Sequence, residues 1–266
     1  MTTFGFIGTG NMGGALAKAA VKTLGSAVVL SDKAEAKAAA LAAELGCQSA
    51  SVAEVAEKCE YIFLGVKPQV MGSLFREIAP ILARRVDRFV LVSMAAGLTI
   101  SRIYEMAGGA YPIIRIMPNT PASVGEGMIL YATDNVFEWE VDTFLAGMEK
   151  AGKFCPLAES LIDAGSAVSG CGPAYVCLFL EALADGGVAC GLPRQQALEL
   201  AAQTLLGTAK LVQESGQHPG ALKDAVCSPG GSTIAGVAAL ENGAFRGTVI
   251  EAVAEAFRRT KELGNN

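Results

Sequence analysis

The chain has 266 residues, 52% of them hydrophobic and 18% charged, with a formal net charge of -5. That length suits one large domain or two ordinary ones, with enough apolar side chains for a core and a subunit interface. The negative balance argues against a nucleic-acid or anionic-membrane surface, so a phosphate-bearing ligand has to be held by local dipoles and a few cations.

Phe4–Ile7 reads as a short buried strand, and a helix follows from Asn11 to Leu24, stopped by Gly25. Between them lies Gly8-Thr9-Gly10-Asn11-Met12-Gly13. The first glycine permits a tight turn, the second lets backbone approach a pyrophosphate, and the third lets the helix lie close on the sheet. Free N–H groups at the helix start, with the positive end of the dipole behind them, then face the phosphates. The bland alternative is a glycine-rich turn that only seats the helix.

Ala27–Leu30 is the next strand, followed by Ser31-Asp32-Lys33 and an alanine-rich helix to Leu45, with Gly46 as its stop. Asp32 suits two ribose hydroxyls and hence NAD, whereas Ser31 and Lys33 suit a 2′-phosphate. The two signals conflict, and Asp32 also reads as a plain helix-capping residue. Ser51 caps a short helix to Cys59; Tyr61–Val66 is a strand closed by Lys67-Pro68, and Pro68 suits the first turn of a helix. Val66, Lys67 and Pro68 thus fall at the sheet edge where open α/β folds bind ligands. Arg88–Met94 is another strand, and the small residues Ala95 and Ala96 after it leave room for a flat ring. Ile113–Met117 leads to Pro118-Asn119-Thr120-Pro121, where Asn119 offers an amide near the expected nicotinamide. Gly127–Tyr131 and Phe154–Leu157 are the last strands, around a helix from Phe137 to Ala151. Strands alternating with helices predict a doubly wound, mostly parallel sheet.

The turn after Leu157 suits a boundary and the texture changes beyond Ser160, so the expected domains are residues 1–158 and an all-α remainder, 159–266. Pro173–Val188 is apolar nearly all round, with Glu181 and Asp185 four apart on one face. A helix this apolar has to be buried on most sides, which predicts a subunit interface. Helices from Pro193 to Glu214, from Pro219 to Val226 and from Thr248 to Leu263 complete the chain. Ser228-Pro229-Gly230-Gly231-Ser232-Thr233 repeats the physics of the opening loop. Two bare glycines and two hydroxyls at a helix start make a nest for an anion, most simply a carboxylate. An ordinary capped loop is the alternative.

Seven scattered cysteines without a Cys-x-x-Cys pair, and a single histidine, His218, leave no expected metal site. Reduced core thiols fit the cytoplasm. Neither a secretory leader nor a membrane span is expected: the uncharged run between Asp163 and Glu181 contains Gly165, Gly170, Gly172 and Pro173. His218 precedes a proline in a turn, and no histidine–carboxylate relay is evident for reducing a carbonyl. A hydride carrier without a proton relay suits a substrate that arrives protonated, such as an imine.

These stretches resemble the pyrroline-5-carboxylate reductase family. The resemblance rests on Phe6–Gly13, Val66-Lys67-Pro68, Met117–Pro121, Ser169-Gly170-Cys171-Gly172-Pro173-Ala174-Tyr175, Ala182–Gly187 and Val226–Ile234, of which Ser-Pro-Gly-Gly-x-Thr is the most specific. It implies a Rossmann domain using NADPH or sometimes NADH, a helical domain interlocked with a second subunit, and dimers that assemble into a ring of five. It implies a site between one subunit's cofactor and the other's helices, in which (S)-1-pyrroline-5-carboxylate is reduced to L-proline. Thr233 would hydrogen-bond the ring nitrogen; Ser228, Ser232 and the backbone of Gly230 and Gly231 would hold the carboxylate. Lys67 and Asn119 would lie along the cofactor. Cys171 stands where many members have serine. A β-hydroxyacid dehydrogenase and a non-catalytic NAD(P)-sensing protein remain as alternatives. Against the first, no lysine follows Gly170-Cys171-Gly172 before Lys210.

Overall fold

The computed structural model describes residues 3–264. Its first compact unit runs to Cys171 and takes back the chain from Ala256; the second is Gly172–Glu255.

In the first unit the order is β1 (Phe4–Ile7), α1 (Asn11–Leu24), β2 (Val28–Ser31), α2 (Glu35–Leu45), β3 (Gln48–Ser49), α3 (Val52–Lys58), β4 (Tyr61–Leu64) and α4 (Pro68–Leu82). Then come β5 (Val90–Ser93), α5 (Ile100–Ala107), β6 (Ile113–Met117), β7 (Gly127–Asp134), α6 (Glu138–Gly147), β8 (Gly152–Pro156) and α7 (Ile162–Ser169). The eight strands form one sheet in the order β3-β2-β1-β4-β5-β6-β7-β8. β1 to β6 are parallel, β7 runs against β6, and β8 is parallel to β7. The expected mostly parallel sheet is what forms.

The apolar strands are continuous runs because both faces of the sheet are covered. Side chains alternate between the faces. Phe4, Phe6, Tyr61 and Phe63 join the core beneath α1, α2 and α6, with Phe6 and Phe63 stacked at 4.1 Å. Ile7, Ile62 and Leu64 join the other core, beneath α3, α4 and α5. Ser51 caps α3 as the sequence suggests, in a reciprocal pair with Glu54.

Several boundaries differ from the sequence reading. β2 starts one residue later and includes Ser31, because Gly25–Ala27 forms a 3-10 turn. β4 stops at Leu64, where Gly65 turns the chain out of the sheet. β3 escapes notice as two exposed polar residues. α5 also escapes, although Thr99 caps it and Ile100, Ile103 and Ala107 bury one face.

Arg115 on β6 is 2% exposed and is held by Glu159 at 3.0 Å and by Asp163 of α7 at 3.1 Å. Asp163 also pairs with Lys261 at 3.3 Å. Through Lys261, the last helical turns join this charge network of the first unit. Buried charges persist only when paired in this way.

The second unit contains α8 (Gly172–Ala189), α9 (Arg194–Ser215), α10 (Pro219–Ala225), α11 (Ser232–Asn242) and the greater part of α12 (Phe245–Gly264). α12 begins three residues before the expected Thr248, straight after Ala244 at φ 53°. α8 and α9 meet through Ala184, Ala197 and Ala201, small enough for close approach. Large apolar side chains instead face outward: Val176, Leu178, Leu206, Leu211, Val226 and Ile250 are all more than half exposed. An apolar groove of about 670 Å³ runs along α8, α11 and α12, lined by Leu178, Phe179, Leu183, Leu240, Phe245 and Val249. One helical run among the described residues, Glu159–Ala189, is long and apolar enough to cross a membrane. A turn at Gly170-Cys171 divides that run into α7 and α8.

Candidate active site

β1 lies between β2 and β4, so the chain leaves the sheet on both sides of it and opens a crevice at the strand ends. Gly8 turns out of β1 at φ 103°, a conformation that disfavours any side chain. Its N–H donates to the Ser31 carbonyl at 2.8 Å, and the Gly65 N–H donates to that of Ile7 at 2.8 Å. A Cβ on Gly13 would meet the Gly8 carbonyl oxygen at 2.1 Å, so the helix seats only with glycine there. Gly10 is different: a Cβ there would meet nothing within 4 Å. Protein packing therefore does not demand that glycine, and the bare backbone leaves room for a ligand to approach. Gly10 is also the N-cap of α1 and has no side-chain cap, so the first N–H groups, at Asn11 and Met12, point out of the loop.

These features border a cavity of about 670 Å³ lined by Gly8, Gly10, Ser31, Asp32, Lys33, Val66 and Lys67, among others. The cavity also takes in Lys37, Gly65 and two further carboxylates, Glu35 and Glu77, which sequence reasoning missed. The donor set and the bare backbone fit a dinucleotide: a dipole end for the pyrophosphate, and lysines at the ribose end.

The remaining expected residues divide. Thr9 is buried, and both its N–H and its hydroxyl donate to Asp32 Oδ2, at 2.8 and 2.9 Å. Burial raises the Asp32 pKa, but the bonds from Thr9 and Ala34 outweigh it and hold the carboxyl below its ordinary value. Met12 packs on the core beneath α1, and Pro68 opens α4. Ala95 is buried and Ala96 exposed just past β5. Asn119 is buried; one N–H of its amide donates to the Ser169 carbonyl at 2.9 Å, and its carbonyl accepts from the Met128 N–H at 2.9 Å, so the side chain braces backbone with its second N–H to spare. Among the described residues no group of metal-ligating side chains occurs.

The second stretch lies in the second unit. Gly231 is the N-cap of α11, again without a side-chain cap, and its N–H donates to the Ser228 carbonyl at 3.0 Å. Gly230 sits at φ 68°. Ser228, Ser232 and Thr233 are exposed. Hydroxyls thus lie beside a helix start that has no side-chain cap. His218 accepts from the Gly220 N–H at 3.0 Å and caps α10.

Residues 159–263 match the family model for pyrroline-5-carboxylate reductase dimerisation, and residues 3–97 match one described as NADP oxidoreductase, coenzyme F420-dependent. The pyrroline-5-carboxylate reductase of Escherichia coli is 41% identical, over 98% of both chains. The chain belongs to the pyrroline-5-carboxylate reductase family. The family's Synechocystis member is 47% identical over 79% of this chain and 78% of its own. A crystal structure of Plasmodium falciparum pyrroline carboxylate reductase with NADP bound superposes with a TM-score of 0.87, at 34% identity, over 99% of this chain and 98% of that one. Membership in the pyrroline-5-carboxylate reductase family sets aside the dehydrogenase and sensor alternatives. Its second half is a dimerisation domain.

Proposed function

We propose that this chain reduces (S)-1-pyrroline-5-carboxylate to L-proline with NADPH or NADH. The observation that carries the reading is a pair of uncapped helix starts, one in each unit, each preceded by bare glycine backbone. One suits a pyrophosphate and the other a small carboxylate. When bound, the cofactor supplies a hydride to the imine carbon. The residues then have separate tasks. Gly8, Gly10, Asn11 and Met12 hold the pyrophosphate through backbone, and Ser31, Lys33, Val66 and Lys67 border the rest of the nucleotide. Ser228, Ser232 and the free backbone N–H groups at the start of α11, beside Gly230 and Gly231, hold the substrate carboxylate. Thr233 hydrogen-bonds the ring nitrogen. The imine arrives protonated, so the chain needs no histidine relay, consistent with His218 being spent as a cap.

The same reading puts the functional boundary between residues 158 and 159 and has two copies pair through the helical half, so that each cofactor meets the partner's Ser228–Thr233 loop. Support comes from the outward leucines and valines of α8 and α9, which need a cover. Assembly of five such dimers into a ring, and residence in the cytoplasm, belong to this proposal as well; all seven cysteines are free thiols, as a reducing compartment requires.

Thr233→Ala tests the chemistry. Loss of one hydrogen bond to a charged nitrogen lowers kcat/KM for the imine by about 10- to 100-fold, and Thr233→Ser keeps most of the activity. An unchanged kcat/KM in Thr233→Ala removes this residue from the mechanism.

A further inference from the structure

We infer that Asp32 is a positioning residue for the phosphate-binding loop and does not read the adenosine ribose. In nucleotide-binding sheets of this kind, an acid at the end of the second strand accepts from the ribose hydroxyls. Asp32 stands at that place, one residue past β2. Three of its roughly four acceptor sites are taken up within the protein, too many to leave a two-handed grip on a ribose. Oδ2 takes both the N–H and the hydroxyl of Thr9, and Oδ1 takes the Ala34 N–H at 3.0 Å.

Thr9 separates the two glycines that shape the loop. A carboxylate that grips it by both backbone and side chain fixes the peptide planes on either side. It thereby aims the N–H groups that follow, at the start of α1. Hydrogen bonds to an ionised acceptor are about twice as strong as neutral ones, so this is a firm latch. The charged groups around it are Lys33, Lys37, Lys67, Glu35 and Glu77, all bordering the same cavity, with Lys37 Nζ 4.0 Å from Oδ2. Discrimination between a 2′-phosphate and a 2′-hydroxyl then falls to the flanking lysines. The inference rests on the proposed seating of NADPH or NADH in this cavity.

The test is the KM of NADPH and of NADH, measured with the pyrroline substrate, for wild type, Thr9→Val, Thr9→Ser and Asp32→Asn. Thr9→Val removes one latch bond and leaves the Asp32 charge in place. It is expected to raise both KM values together, about five- to tenfold, with kcat at saturation changing far less. Thr9→Ser, which keeps the hydroxyl, restores both. Asp32→Asn raises both by about tenfold or more, somewhat less for NADPH because a negative charge near its phosphate is removed. The inference is overturned if Thr9→Val leaves both KM values within about twofold of wild type, if Thr9→Ser fails to restore them, or if Asp32→Asn raises the KM of NADH alone. Wild type that oxidises neither cofactor would overturn the cofactor reading itself, and this inference with it.

Discussion

The two units treat their apolar side chains in opposite ways. The first buries Phe4, Phe6, Ile62 and Phe63 completely between its sheet and its helices. The second fully buries little more than alanines and turns leucines and valines outward. Water tolerates a small apolar patch on a monomer, not a surface of this extent. The first unit is therefore complete by itself, whereas the second is finished by another copy, as a dimerisation domain should be. The loop shaped for a nucleotide sits on the self-sufficient unit, and the loop shaped for a carboxylate sits on the dependent one. On the proposed reading, activity is thereby tied to assembly.

A charge placed on the outward face of α8 should break that contrast most severely. Leu178, 67% exposed and lining the apolar groove, has to be covered if the dimer forms there. Leu178→Asp buries an unpaired carboxylate once per copy, at a cost of several kcal/mol each. The expected outcome is a monomer by light scattering, with activity lost and the first unit still folded. A dimer of wild-type stability would show that this face is not the interface. A cavity in the first unit should do the reverse. Phe63→Ala leaves a gap in a fully buried aromatic cluster and lowers unfolding stability by about 3–5 kcal/mol in denaturant titration. The molecules that remain folded should stay dimeric. Loss of the dimer without loss of stability would mean that the two units are not independent in this sense.

Much of this organisation was legible in the sequence. The glycine spacing after Phe4–Ile7 carried the loop, the continuous apolar strands carried a sheet covered on both faces, and the apolar run after Pro173 carried a helix too apolar for one chain to cover. What was not legible depends on contacts made far along the chain. Nothing local shows that Asp32 bonds back to Thr9, since the two are brought together only by the pairing of β1 with β2. Asn119 is a similar case: nothing local shows that its side chain bonds the Ser169 carbonyl and the Met128 N–H. Gly65 and Lys37 were passed over because a lone glycine or lysine carries no period. β3 lacked any apolar alternation by which a strand is recognised.

The most direct test of a site shared between copies is complementation in a hybrid dimer. Gly10→Asp sets a carboxylate where the pyrophosphate would lie, at a position where added atoms meet no protein. Thr233→Ala damages the other loop. Each variant alone should be nearly inactive. If each site joins one copy's nucleotide loop to the other copy's carboxylate loop, a hybrid has one site with both defects and one with neither. Equal co-expression should then restore about a quarter of wild-type activity by random pairing of the two chains. Activity no higher than that of the two parents would contradict a site built across the dimer.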